Sequence, residues 1–252
     1  DKKMAEVETG IDFIMGGHTH DGVPEAVPVK NANGTTYVCN AGSNGKFLNV
    51  LDLDIQNGKI KDFKFTLLPI FSDLIPENKD MKKYIEDVRL PYLKELTRPI
   101  ATTEQTLFRR GNFNGSWDQI ICDALLEVKD AQISLSPGFR WGTSVMPGQT
   151  ITFDDLMTQT AMTYPETYAR NISGKDIKDI LEDVADNLFN EDPFYQQGGD
   201  MVRTGGISYK INPTAKMGER ISDIVLTKTN EKLDASKSYK VAGWSTVGAK
   251  SE

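Results

Sequence analysis

The first apolar run is short. Residues 11–15 (IDFIM) are closed by Gly16-Gly17, and that length with that punctuation predicts a buried strand. Residues 37–40 and 49–55 predict two more. In the second of these, Val50, Leu51, Leu53 and Ile55 nearly alternate with polar residues, the pattern of a half-buried strand. Asn57-Gly58 then marks a two-residue hairpin turn, because both residue types tolerate positive φ. Residues 59–68 supply the returning strand, with Ile60, Phe63, Phe65 and Leu67 spaced along it. Ahead of residue 11 the pattern announces no element.

From residue 78 to 96 the period becomes helical, with Met81, Tyr84, Ile85, Val88 and Tyr92 on one stripe and charge between them. Pro91 should kink or stop this helix. Ser116-Trp117-Asp118-Gln119 has the form of a capping box ahead of Ile120, Ile121, Ala124 and Leu125, so a helix is expected to start there. Thr152 with Asp155, and Ser173 with Asp176, repeat the start signal. After Ser173 the stripe Ile177, Ile180, Leu181, Val184 and Leu188 is the clearest amphipathic helix in the chain. Residues 132–135, 207–211, 221–226 and 239–243 read as strands. Strands and helices mixed in this order place the chain in the α/β (α+β) class.

Composition narrows the partners. Of 252 residues, 38% are hydrophobic and 26% charged, as in an ordinary globular chain. With 29 basic against 36 acidic residues the net charge is −7, which argues against nucleic acid as a partner. No apolar run approaches the roughly 18–20 residues of a membrane span. The two cysteines, Cys39 and Cys122, form no disulfide framework and no CxxC site; they could pair once, but buried free thiols are expected. DKKMAEVETG has no signal-peptide pattern and YKVAGW is followed only by STVGAKSE, so a fragment cut at both ends is expected.

The residues most able to carry chemistry lie in GGHTHD, residues 16–21. His18 and His20 are the only histidines, two apart after a predicted strand, and imidazole is a preferred ligand of transition metals. On extended backbone, positions i and i+2 face the same way, so both rings are expected to converge. Asp21 would then point away. A two-metal centre needs further donors, which are expected upstream of Asp1. Two loop arginines add a second chemistry: Arg140 in SPGFRWG and Arg203 after Gly198-Gly199. A guanidinium fork matches tetrahedral oxyanions. Asp200 is expected either to orient Arg203 or to serve a turn, and Tyr195, with Trp141 and Tyr164 behind it, is a candidate pocket aromatic.

GGHTHD after IDFIM, followed by YVCNAGSNGKFLNVLDLDI, resembles the end of a calcineurin-like metallophosphoesterase domain of the 5′-nucleotidase superfamily. The segments SPGFRWG, ITFDDLM, LEDVADNLF, DPFYQQGGDMVRTGG and YKVAGW narrow the resemblance to the SoxB thiosulfohydrolases of the sulfur-oxidation (Sox) pathway. The resemblance implies that residues 1–76 are the last part of the metallophosphoesterase β-sandwich and residues 77–98 a linker helix. Residues 99–252 would then be a substrate-binding 5′-nucleotidase C-terminal-like domain, incomplete at its end. It further implies that His18 and His20 each bind one metal of a dinuclear site, manganese being the expected ion, and that the other ligands precede this chain. Arg140 matches the substrate-binding arginine of the family loop, and Arg203, Asp200 and Tyr195 are further substrate-binding candidates. The implied reaction releases sulfate from a cysteine S-thiosulfonate on the SoxYZ carrier, in the periplasm. Two other readings stay open: a periplasmic 5′-nucleotidase-like phosphoesterase, and a chain that by itself is an inactive binding module.

Overall fold

The first element is one the apolar pattern does not announce. In the computed structural model, which describes residues 1–139, 142–160, 166–197 and 199–244, a short helix α1 (Lys2–Val7) precedes the first strand and buries Ala5 completely. It packs on a three-stranded sheet of β1 (Phe13–Gly16), β2 (Val27–Asn31) and β3 (Gly34–Asn40), in the order β1-β3-β2. β1 runs parallel to β3 and β2 antiparallel to it. Ala5, Val29 and Val38 form the small core between helix and sheet.

β4 (Phe47–Gln56) and β5 (Lys59–Pro69) make the expected hairpin. Asn57 and Gly58 both hold positive φ (53° and 72°), the conformation that lets a two-residue turn follow the strands' own twist. The expectation of a half-buried β4 holds in its first half, where Val50 and Leu51 are half-buried, and fails further along, where Leu53 and Ile55 are exposed. The charged helix is also present, as α2 (Lys79–Arg89). It gives way to a single 3-10 turn at Leu90–Tyr92 containing Pro91, and then to the short α3 (Leu93–Leu96). Proline's missing N–H and fixed φ account for the break. The α2 stripe of Met81, Tyr84, Ile85 and Val88 stays exposed.

The chain divides into two compact units, Asp1–Val88 and Arg89–Glu252. In the second, β6 (Pro99–Thr102) pairs with β8 (Thr150–Thr152), and a four-stranded sheet forms the centre. Its order is β10 (Arg203–Gly205), β7 (Ile133–Ser136), β13 (Ser238–Trp244) and β9 (Thr167–Ser173), with only the β7–β13 pair parallel. α4 (Ser116–Lys129) and α6 (Gly174–Phe189) cover opposite faces. Alternation along the strands sorts the side chains: Ile133, Leu135 and Val241 meet Ile177, Ile180 and Leu181 of α6, whereas Ala242 and Trp244 meet Ile121 and Leu125 of α4. A third small core joins Leu107, Trp117, Val145 and Ile151, beside α5 (Phe153–Thr160). β11 (Ile207–Ile211) and β12 (Ile221–Leu226) pair separately and lend their apolar side to the α6 core.

The caps hold at two of three sites. Ser173 accepts from the Asp176 amide, and Thr152 and Asp155 bond reciprocally. At α4 the cap position is Gly115, not Ser116. Asp118 accepts from the Gly115 amide (2.9 Å), while the Ser116 hydroxyl ties Thr106 to Phe108 instead. Cys39 and Cys122 are free and buried, and burial pushes the Cys122 thiol up to about 12. Among the described residues no helix is long and apolar enough to cross a membrane.

Candidate active-site loops

Because β1 and β3 are parallel, with Gly16 opposite Asn40, both strands release the chain at the same end of the sheet. The histidine loop turns at once: the Thr19 amide donates to the Gly17 carbonyl (2.7 Å), and His18 and His20 both take left-handed φ, 62° and 64°. This corrects the expectation of an extended His-x-His segment. The rings are aimed by two left-handed residues flanking Thr19, not by the pleat of a strand. For side chains with a Cβ, each such conformation costs on the order of 1 kcal/mol or more and persists only where neighbours enforce it.

The enforcing neighbour is the end of β3. Buried Asn40 donates from Nδ2 to the Thr19 hydroxyl (3.2 Å) and accepts the Val23 amide on its carbonyl (2.9 Å). The Gly42 amide reaches the Asp21 carbonyl (2.8 Å). His18 is exposed and His20 half-buried. Among the described residues no group of three or more His, Cys, Asp or Glu side chains is placed to hold a metal. The donor chemistry therefore fits a metal only as two imidazoles of a larger set. A side chain at Gly16 would collide with the Asp1 carboxylate, so the start of α1 lies at this same end of the sheet.

The second group of candidates lies in the other unit. Arg140, Trp141 and Tyr164 fall outside the described residues. Arg203 does not face solvent: its side chain is 0% exposed. Its Nη2 donates to Asp200 (3.0 Å), to the Gly111 carbonyl (2.7 Å) and to the Arg109 carbonyl (3.3 Å), and its Nε faces Asp118 at 3.3 Å. Burial pulls its pKa down, and the Asp118 and Asp200 carboxylates oppose that pull. The expectation that Arg203 and Asp200 meet substrate is corrected accordingly, since both side chains are buried and face each other inside the protein. Tyr195, by contrast, is 66% exposed on the loop after α6.

Two groups that the sequence reading assigned no such part organise these loops. Asp118, beyond its capping role, bridges Arg109 and Arg203 while all three are essentially buried. Arg109 donates to Asp118 (2.8 Å), to the Pro137 carbonyl (3.1 Å) and to the Gln159 carbonyl (2.7 Å), with its guanidinium 5.9 Å from the Trp244 ring centre. Trp244 donates to Ser136 (2.8 Å) and packs edge-on against Phe139. Asn114 bonds both backbone groups of Thr204, and the Met201 amide reaches Asn112. Residues 109–114, 136–139 and 200–204 are thus tied by one largely buried polar network. Only the Arg109-Arg110 pair before Gly111 hinted at it in the sequence.

A family model for the 5′-nucleotidase C-terminal domain matches residues 99–251. The sulfate thiohydrolase SoxB of Thermus thermophilus superposes with a TM-score of 0.88 at 35% identity, covering 96% of this chain and 44% of that one. A 5′-nucleotidase precursor, also from Thermus thermophilus, superposes at 0.81 with 21% identity, over 96% of this chain and 51% of its own, which speaks for the fold. Among curated proteins, the trifunctional nucleotide phosphoesterase YfkN of Bacillus subtilis is 28% identical over 276 residues, covering 99% of this chain and 17% of YfkN. The chain spans about half or less of each relative it matches.

Proposed function

Because the chain belongs to the family that carries the 5′-nucleotidase C-terminal domain, we propose that the full-length protein is a metal-dependent hydrolase acting on a tetrahedral oxyanion, and specifically a thiosulfohydrolase. Its substrate would be a cysteine S-thiosulfonate held by a SoxYZ-type carrier, and its product sulfate. The observation that carries this reading is the match to SoxB, higher in identity and in superposition than the match to the nucleotidase over the same share of the chain.

His18 and His20 would each hold one ion of a dinuclear centre, whose remaining ligands would come from outside the described residues. Manganese is the expected ion. When bound, such a pair supplies Lewis-acid stabilisation and lowers the pKa of a water. The strained, braced turn supports the assignment, since left-handed residues with bulky side chains concentrate at functional sites. Arg140 would balance charge on the sulfonate oxygens, and exposed Tyr195 would line the approach. Arg203 and Asp200 would act from beneath, by fixing the loop that bears Tyr195. The periplasm is the compartment this substrate implies.

A second reading, a nucleotide phosphoesterase, is favoured by the YfkN match. One experiment separates the two. The manganese-loaded full-length protein is offered carrier-bound thiosulfonate and AMP in parallel, and sulfate and phosphate are measured. Sulfate release with little phosphate supports the thiosulfohydrolase; rapid AMP hydrolysis with no sulfate overturns it.

A further inference from the structure

The loop that carries Arg140 leaves β7 at Ser136 and reaches Gly142 and Thr143, and both of its stems are gripped by one buried pair. At the near stem, Arg109 donates to the Pro137 carbonyl (3.1 Å), and the Phe139 amide closes a tight turn on that same carbonyl (2.9 Å). At the far stem, Gln159 donates from Nε2 to the Thr143 carbonyl (3.0 Å). Arg109 also holds the Gln159 carbonyl (2.7 Å), so the two grips are mechanically joined.

The fit at the far stem is close. Gly142 lies flat on the Gln159 amide at φ 84°, and a Cβ there would fall 2.3 Å from Nε2 and 2.6 Å from Oε1. Gln159 is only 2% exposed, and its Oε1 has no hydrogen-bond partner among the described residues. An unmet buried acceptor is destabilising, so ordinary core packing would favour leucine or methionine at this position. What the glutamine supplies there, and leucine would not, is the Nε2 bond to the Thr143 carbonyl.

We propose that Gln159, backed by Arg109, is a positioning residue that holds the two stems, Pro137–Phe139 and Gly142–Thr143, between which Arg140 lies in the chain. This rests on the reading of Arg140 as the oxyanion-binding group, and it adds a residue on α5 that reaches the substrate only through that loop. The requirement is geometric: a charge-balancing guanidinium displaced by an ångström loses much of its effect.

The test uses Q159L, similar in shape and unable to hydrogen-bond, in two settings. In the manganese-loaded full-length protein, Q159L should raise KM for carrier-bound thiosulfonate, or for AMP if that is the substrate turned over, by about tenfold or more. The same change made on R140A should add almost nothing, because coupled residues are non-additive. In this chain without metal, amide exchange at Phe139, whose N–H bonds the Pro137 carbonyl, should quicken about tenfold in Q159L, while α4 and β7 keep their protection. An unchanged exchange rate overturns the proposal. So does faster exchange with unchanged KM, or a Q159L penalty that multiplies in full on R140A. If the wild type turns over neither substrate, the functional reading fails by itself, and the exchange experiment still decides whether Gln159 holds the loop.

Discussion

The two units solve the same problem with unequal means. In Arg89–Glu252 the central sheet has a helix on each face, and Ile133, Leu135, Ile177, Leu181 and Val241 are buried to 8% exposure or less. In Asp1–Val88 the buried apolar core is Ala5, Val29 and Val38 with Cys39, supplemented by the ring cluster of Phe13, Tyr37 and Phe63. Its longest strands, β4 and β5, leave Leu48, Leu53, Ile55 and Leu68 in solvent. A two-stranded ribbon is marginal in water unless an apolar face is covered. The second unit is ordered chiefly by side-chain packing, whereas the first leans on backbone pairing and turn chemistry beside a small core.

The largest effect should come from breaking the buried polar network that pins the loops of the second unit. Asp118→Ala removes the carboxylate shared by Arg109, Arg203 and the Gly115 amide. Two guanidinium groups would then face the interior with less compensation, and losses of about 3–5 kcal/mol are expected when one partner of a buried ion pair is deleted. Tryptophan fluorescence is the suitable readout, because Trp117, Trp141 and Trp244 all lie in the second unit. Denaturant midpoints of wild type and D118A, compared at equal slope, give the difference. A shift below about 1 kcal/mol would mean that Asp118 is no more than a helix cap.

What the sequence disclosed follows the same division. The apolar stripe of α6 told its register in advance, and Ile177, Ile180 and Leu181 are buried as a 3.6-residue period requires. The Asn57-Gly58 turn was equally plain. Burial in β4 was overread only at Leu53 and Ile55, because alternation reports a potential face, while a stretch of it is buried only where another layer arrives. β2, β9 and β10 gave no signal: Pro28 interrupts the first, Arg170 and Asn171 the second, and the third is three residues long. The candidate site was legible as residue types but not as geometry. The His-x-His pair stood out, while its left-handed backbone is braced at Thr19 by Asn40, 21 residues on in the chain. Arg203 was noticed for its charge, yet a local reading cannot see that Asp118, 85 residues earlier, meets it in the interior.

A smaller effect should appear on the acid side, again in the second unit. Arg220 donates to Asp186 on α6 (2.5 Å), and Asn190 adds a second bond (2.8 Å). These bonds hold the Asp186 carboxyl below its ordinary range, the Arg220 contact contributing most. A carboxyl whose folded pKa lies below its unfolded value binds protons more weakly in the native state. The stabilisation is present in full above the unfolded value, near about 4, and is lost as pH falls through the folded one. Asp186→Asn should therefore lower stability at neutral pH and flatten its fall below about pH 4. An unchanged pH profile would show that the Arg220 bond contributes nothing to the packing of α6.

The smallest effect should be found where the first unit looks most hydrophobic. Leu53 is 41% exposed at the middle of β4, opposite Phe63 of β5. If backbone pairing and the Asn57-Gly58 turn set the hairpin register, as the exposure of Leu53 and Ile55 near the turn indicates, the side chain at position 53 has little to lose. Threonine is β-branched and well suited to a strand, so Leu53→Thr should change stability by no more than about 0.5 kcal/mol in this chain. Amide exchange along β4 and β5 measures it locally and keeps the second unit from masking the result. A loss of about 2 kcal/mol or more would instead be the signature of a core position. Leu53 would then be packed in solution against something that covers the hairpin, and the contrast between the units would lie in their partners instead of their construction.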